Sequence, residues 1–225
     1  MKNSSLAKIL FITSAVPLIT VLIALHFLPE TIPAHYDLYM NIDRWGSKYE
    51  SLLMPAATLL MSVFMYGMSH FSAKQENGKS NQKVLLISGT ALNIFFTIMT
   101  VWSLWSAFNA LGGSKKSVEI SVNIIFIAAG IVMIVIGNFL PKCKLNSVIG
   151  LRTKWSTANE DVWFKCQRFG GVLFVVCGIL MAVISAAIEN TPLLIAANIF
   201  ISIVIIAGSL AGSKIIYDKM NSKIQ

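Results

Sequence analysis

The longest polar run in this chain is Gly150-Leu151-Arg152-Thr153-Lys154-Trp155-Ser156-Thr157, followed by Asn159-Glu160-Asp161-Val162-Trp163 and Gln167-Arg168-Phe169-Gly170-Gly171. Its residue types suit binding. Arg152 offers a planar fork of donors matched to a carboxylate or phosphate. Trp155 and Trp163 offer rigid contact area with a polar edge. Thr157 and Glu160 have the spacing of a capping box, with Thr157 as N-cap, and Asp161 adds negative charge to the same first turn. A helix is expected from about Ala158, with Trp163, Gln167 and Gly170 close to one face. Gly170-Gly171 permits a bend or a close helix contact. Two readings stand. In one the segment is an anchor, a short amphipathic helix with both tryptophans at headgroup level and Lys154, Lys165 and Arg168 against anionic lipid. In the other, Arg152 and Trp155 shape a site at the helix N-terminus for a ligand or protein partner.

A second set lies between Pro29 and Glu50. His26, His35, Asp37 and Asp43 are nitrogen and oxygen ligand types, but their spacing matches no established metal motif, and no metal or other cofactor is expected. The alternatives are a folded cap, in which His35 hydrogen-bonds Asp37 or Asp43 and Trp45 anchors at the interface, and a docking surface for an extracellular peptide. Catalysis is not expected. A His-Glu-x-x-His helix is missing from the sequence, only His26, His35 and His70 occur in the chain, and Cys177 sits in an apolar run without a histidine base nearby in sequence. Cys143, Cys166 and Cys177 are odd in number and lack zinc-type spacing, so a disulfide framework is not expected either.

The elements around these residues read as membrane. Of 225 residues, 56% are hydrophobic and 12% charged, against about 25% charged in an average soluble domain. Six runs approach the roughly 20 apolar residues a spanning helix needs: Ile9–Leu28, Leu52–Phe71, Val84–Phe108, Val118–Leu140, Gly171–Ile188 and Pro192–Leu210, the last continuing toward Tyr217. The first run is too long for a signal-peptide core and lacks a small-residue cleavage site before Pro29, so it is expected to be retained. Pro17 should kink it. Pro55 falls in the first turn of the second, where a missing N–H costs little. Asn93, Asn123, Asn138 and Asn198 are expected to hydrogen-bond between packed helices.

The net charge of +8 does not indicate nucleic-acid binding, because Lys and Arg sit between apolar runs. Fourteen of them (Lys2, Lys8, Lys74, Lys79, Lys83, Lys142, Lys144, Arg152, Lys154, Lys165, Arg168, Lys214, Lys219 and Lys223) fall on one side of the six spans, and Arg44, Lys48, Lys115 and Lys116 on the other. The positive-inside rule then makes both termini cytoplasmic in a bacterial multi-pass protein, with an outer loop at 29–50 and an inner loop at 141–170. The expected fold is an all-α membrane protein of two parts. Residues 1–75 form a two-helix unit carrying the outer loop, and residues 84–217 a four-helix unit carrying the inner loop. Glu189, Asn190 and Thr191 make a tight turn between antiparallel neighbours.

Asn138-Phe139-Leu140-Pro141-Lys142, Asn146, Ile149-Gly150-Leu151-Arg152-Thr153-Lys154-Trp155, Asn159-Glu160, Val162-Trp163 and Arg168-Phe169-Gly170-Gly171 resemble the signature of the SdpI family, bacterial membrane proteins that confer immunity to a secreted toxic peptide. The chain departs at Ser156-Thr157, where the family commonly has Thr-Leu. It departs again at Cys166-Gln167, where the family often has Thr-His. Ile32-Pro33-Ala34-His35, Asp43-Arg44-Trp45-Gly46-Ser47-Lys48 and Leu53-Met54-Pro55 resemble the N-terminal domain of unknown function that accompanies many members, with Leu38-Tyr39-Met40-Asn41 in place of a glycine-containing turn. The resemblance implies a non-enzymatic immunity protein that meets a toxic peptide outside, contacts membrane lipids, and captures a cytoplasmic transcriptional repressor at the membrane. The expected inner-site residues are Arg152, Trp155, Asn159, Trp163 and Arg168, and the expected outer-site residues are His35, Asp43 and Trp45. The alternative is a transporter or flippase without ion coupling, since charged residues are missing from the span centres.

Overall fold

A computed structural model describes residues 3–75, 78–110 and 115–222, the side chains of 115–121 excepted. Lys2 and Lys223 of the charge count lie outside the described residues, as do the side chains of Lys115 and Lys116. The helices are α1 (Asn3–Ala24), α2 (Leu53–Ala73), α3 (Gly78–Ala110), α4 (Lys115–Phe139), α5 (Glu160–Ala187) and α6 (Thr191–Asn221). Among the described residues six helical segments are long and apolar enough to cross a membrane, one for each expected run. Leu60, Val172 and Phe200 are 72%, 64% and 66% exposed on the bundle surface, an apolar exterior that suits lipid and not water. α1 continues through the buried Pro17.

Successive helices run antiparallel. One end of the bundle carries a β-hairpin, which the expected all-helical outline did not include. β1 (Thr31–Tyr36) pairs antiparallel with β2 (Ile42–Ser47), Thr31 opposite Ser47 and His35 opposite Arg44, with irregular register between Pro33 and Tyr36. Its turn is built by Asp37, whose carboxylate accepts from Tyr39 N and Asn41 N at 2.8 Å each and from Asn41 Nδ2 at 2.8 Å. Met40 takes the left-handed φ of 60° within that turn. Met40 packs with Val122 of α4 and Leu194 of α6. Tyr36 bonds the Ser106 hydroxyl of α3, and burial of its ring raises the Tyr36 pKa. The hairpin thus rests on three helix ends.

Helix packing uses polar locks and small residues, as expected where lipid gives apolar side chains no reason to leave it. Asn93 of α3 is fully buried. It donates to Leu10 O at 2.8 Å and Thr13 Oγ1 at 3.1 Å on α1, and accepts from Ser62 Oγ of α2 at 3.0 Å. α3 therefore sits against both α1 and α2, helped by the cluster of Leu6, Leu10 and Leu86. Asn198 bonds Ser185 across α6 and α5 at 3.2 Å, and Asn123 of α4 donates to Ser185 O and Ile188 O at the end of α5, at 2.8 Å each. Asn138 instead bonds Ile134 O of its own helix.

α4 and α5 approach backbone to backbone. A β-carbon on Gly130 would lie 2.6 Å from Gly178 O, and one on Gly178 2.6 Å from Gly130 O. The same reciprocity holds seven residues on, between Gly137 and Gly171 at 2.8 and 2.7 Å. Gly171 thus serves close contact. The expected short amphipathic helix is not a separate element, because residues 160–170 are the first turns of the unbroken α5.

Candidate functional site

The polar run folds into a compact loop at the end of the bundle opposite the hairpin. Asn146 organises its first half. Its Oδ1 accepts from Val148 N and Ile149 N at 2.6 and 2.8 Å, and its Nδ2 donates to Lys144 O and Ile149 O at 2.6 and 2.9 Å. A hydroxyl network forms the second half: Ser156 Oγ donates to Leu151 O and accepts from Thr153 N, at 2.8 Å each, while Thr157 Oγ1 donates to Thr153 O at 3.0 Å.

That network corrects the expected helix start. The Thr157 hydroxyl is engaged in the turn before the helix, and Asn159 is the N-cap of α5, its Oδ1 accepting from Val162 N at 2.9 Å. Asn caps as well as Thr, and Glu160 and Asp161 still occupy the first turn.

Trp163 departs most from its expected place. It is 2% exposed, packed with Val84 and Cys143, and its indole N–H donates to Cys143 O at 2.8 Å. It is a core residue that holds the loop on the helices rather than a headgroup anchor. Gln167, one turn on, reads the backbone of Leu151 on both sides, accepting from its N–H at 2.8 Å and donating to its carbonyl at 3.0 Å. An amide carries donor and acceptor together and does not titrate. Gly150 completes the fit. Its φ is +121°, and a β-carbon there would lie 2.8 Å from both Gln167 Oε1 and the Trp163 ring. The expected face of Trp163, Gln167 and Gly170 is therefore the surface on which Gly150-Leu151 lies, Leu151 packing over Gly170.

Further ties reach α3, α6 and the turn between α2 and α3. Lys144 N donates to Asn81 Oδ1 at 2.8 Å, Ser80 Oγ to Lys142 O at 2.7 Å, Gln75 Nε2 to Ser147 Oγ at 2.6 Å, and Thr153 Oγ1 to Ser213 Oγ of α6 at 2.9 Å. Sequence reasoning passed over Gln75 and Asn81, and named Asn146 and Ser156 only within the family resemblance, not as site residues. Only polarity beside apolar runs marked Gln75 and Asn81.

The remaining inner-site residues face outward. Arg152 donates to Asn146 O and is otherwise exposed. Trp155 is half-buried, with Lys154 Nζ 4.9 Å from its ring centre. Arg168 is exposed, its guanidinium 5.7 Å from the Phe164 ring centre. The fold thus presents Arg152, Trp155 and Arg168 at the surface, while Asn159 and Trp163 hold it in shape.

Cys143 is buried beneath this loop, and burial pushes its thiol up to about 12. The thiolate is the nucleophile, so Cys143 should resist maleimide at mildly alkaline pH. Cys166 and Cys177 are buried too. Folded protein is expected to take up almost no N-ethylmaleimide until denatured in SDS. Rapid labelling before denaturation would contradict the packing around Trp163.

At the hairpin end, His35 Nδ1 lies 2.7 Å from Asp43 Oδ1, resolving the choice between Asp37 and Asp43. Both side chains are largely exposed, so removing the pair should cost well under about 1 kcal/mol. Trp45 is half-exposed. Arg44 pairs with Glu50 at 3.0 Å and Lys48 with Glu30 at 2.9 Å. Among the described residues no group of three or more His, Cys, Asp or Glu side chains converges as metal ligands would.

The SdpI/YfhL protein family matches residues 142–217, spanning the loop, α5 and most of α6. That segment is similar to the SdpI/YfhL family. A Domain of unknown function (DUF1648) matches residues 12–59, covering most of α1, the hairpin and the start of α2. Immunity protein SdpI of Bacillus subtilis (strain 168) is 27% identical over 168 residues, 74% of this chain and 75% of that protein. No solved structure matches the chain. With six apolar helices and an SdpI relative, the chain is a multi-pass membrane protein. The SdpI/YfhL match begins one residue before Cys143, whose carbonyl receives the Trp163 indole, and includes Ser213, where the loop reaches α6.

Proposed function

We propose that this chain is a membrane immunity protein that protects the cell producing a secreted toxic peptide, without catalysing a reaction. The observation that carries this reading is its likeness to Immunity protein SdpI over three quarters of both chains. The charge distribution supports the orientation: fourteen Lys and Arg belong to the loop end by sequence, so the positive-inside rule sets that end in the cytoplasm and the hairpin end outside. The hairpin is then the first part a peptide arriving from outside would meet. Arg152, Trp155 and Arg168, with Lys154 and Lys165 beside them, form a basic surface at the cytoplasmic end. It suits anionic lipid or an acidic patch on a protein such as a transcriptional repressor held at the membrane.

The test is survival. A sensitive Gram-positive strain expressing the full chain is challenged with secreted peptide from the source strain. Arg152→Ala and His35→Ala are run beside it at matched membrane levels. The full chain is expected to protect. His35→Ala removes an exposed contact and Arg152→Ala one part-buried hydrogen bond to Asn146 O, so at matched membrane levels protection lost in either marks that end as part of the mechanism. Absence of protection by the full chain, against peptide that kills the parent strain, would overturn the immunity reading.

A further inference from the structure

A cleft of about 430 Å³ opens beneath the hairpin, within the roughly 300–1,000 Å³ of ligand sites. Its walls come from three elements: Ile32 and Pro33 of β1, Met54 and Ala57 of α2, and Met99 and Trp102 of α3. Arg44 and Glu50 also line it. Their side chains are 56% and 34% exposed, which sets them at its rim. The Arg44 guanidinium divides its donors between Glu50 and the Ala34 carbonyl, 3.5 Å away. An ion pair this exposed contributes only about 0–1 kcal/mol, so a competing charge can replace one partner cheaply. Glu50 is also held in place by shape. Its carboxyl group lies over Gly46, where a β-carbon would collide with it.

The electrostatics of this end select the sign of the competitor. Glu30, Asp37, Asp43, Glu50 and Glu189 stand against Arg44 and Lys48 among the described residues. Adding Lys115, Lys116 and Glu119 by sequence leaves the end acidic. A basic partner is drawn here and an acidic one repelled. The lining completes the specification, because two methionines and a tryptophan make an adaptable apolar floor.

Resting on the immunity reading above, we infer that this cleft is the recognition site for the secreted peptide. It takes an apolar side chain between α2, α3 and β1, while a lysine or arginine of the same peptide exchanges with Arg44 on the Glu50 carboxylate. The ligand is therefore a cationic amphipathic peptide.

The probe is the peptide fraction of the source strain's culture medium that cation exchange retains. The dose for half-killing is measured on cells expressing the full chain or a variant at matched membrane levels. Ala57→Trp, which fills the cleft, is expected to remove at least about tenfold of the protection, the effect of losing one buried anchor. Glu50→Gln, which keeps the shape and removes the charge, should lose a smaller part. Leu60→Trp, on the same helix but facing lipid, should protect like the unmodified chain. A second measurement does not depend on how Ala57→Trp folds. The native cysteines are buried, so a benzophenone maleimide on Met54→Cys is selective. It should crosslink the peptide, whereas the same label on Leu60→Cys should not. Full protection by Ala57→Trp, killing activity confined to the unretained fraction, or crosslinks from Met54→Cys to phospholipid alone would each overturn the inference and leave the immunity reading standing. A full chain that fails to protect against killing peptide would remove both.

Discussion

Trp163→Ala is expected to lower the stability of the detergent-solubilised protein by about 3–5 kcal/mol, the usual cost of deleting a large buried aromatic side chain. The ring is 2% exposed and shares a cluster with Val84 and Cys143. It also backs Gly150, whose β-carbon it would not admit. Removing it takes the floor from under the loop and leaves Cys143 O without its indole donor. Thermal unfolding should shift down by many degrees, and protease should cut within 143–158 at concentrations that spare the parent protein. Trp163→Phe separates the two effects. It keeps most of the ring but orphans the buried carbonyl, at about 1–3 kcal/mol. An alanine variant that unfolds with the parent would show that the indole does not support the loop.

The second large effect is expected where α4 and α5 touch. Gly137→Leu or Gly171→Leu forces a side chain into a space where even a β-carbon would stand under 3 Å from the facing carbonyl. Overpacking of this kind costs about 1–3 kcal/mol, occasionally more. Here the neighbour that must yield is backbone, so the upper part of that range applies. The double variant should cost less than the two singles combined, because helices already parted by one leucine admit the second. Gly67→Leu is the matched control, since a β-carbon there meets nothing within 4 Å. Equal melting temperatures for Gly67→Leu and Gly171→Leu would exclude the close seam.

What the sequence disclosed followed from signals of two ranges. Apolar run length located the six spans, because a bilayer imposes its thickness on each helix separately. Helical spacing put Trp163, Gln167 and Gly170 on one face, because that depends on neighbours within one turn. What that face meets was invisible, for Gly150-Leu151 reaches it through a loop whose course is set by the hydroxyl network of Thr153 and Ser156. The Thr157–Glu160 spacing satisfied a local rule that a competing turn overrode. The hairpin was hidden for another reason. Its strands are six residues each, one carrying Pro33, and its turn depends on Asp37 in place of a glycine. Of the outward-facing candidates, residue type pointed to Arg152 and Trp155, and the family resemblance added Arg168. Neither signal could separate them from Asn159 and Trp163, since a cap and a core indole look the same in sequence as surface contacts.

The Asn93 lock carries a consequence for biogenesis. Each of its partners, Leu10, Thr13 and Ser62, precedes Asn93 in the chain. The lock can therefore close as soon as the third helix has left the ribosome and entered the bilayer, while the second half is still unmade. N-terminal parts of a chain generally fold first during synthesis, and here the early half holds every group its buried amide side chain requires. The tie between Thr153 and Ser213 must wait for the final helix. Newly made protein is therefore expected to form a three-helix platform to which the later helices are added. A ribosome stalled after α3 should already yield a membrane-embedded, protease-resistant fragment.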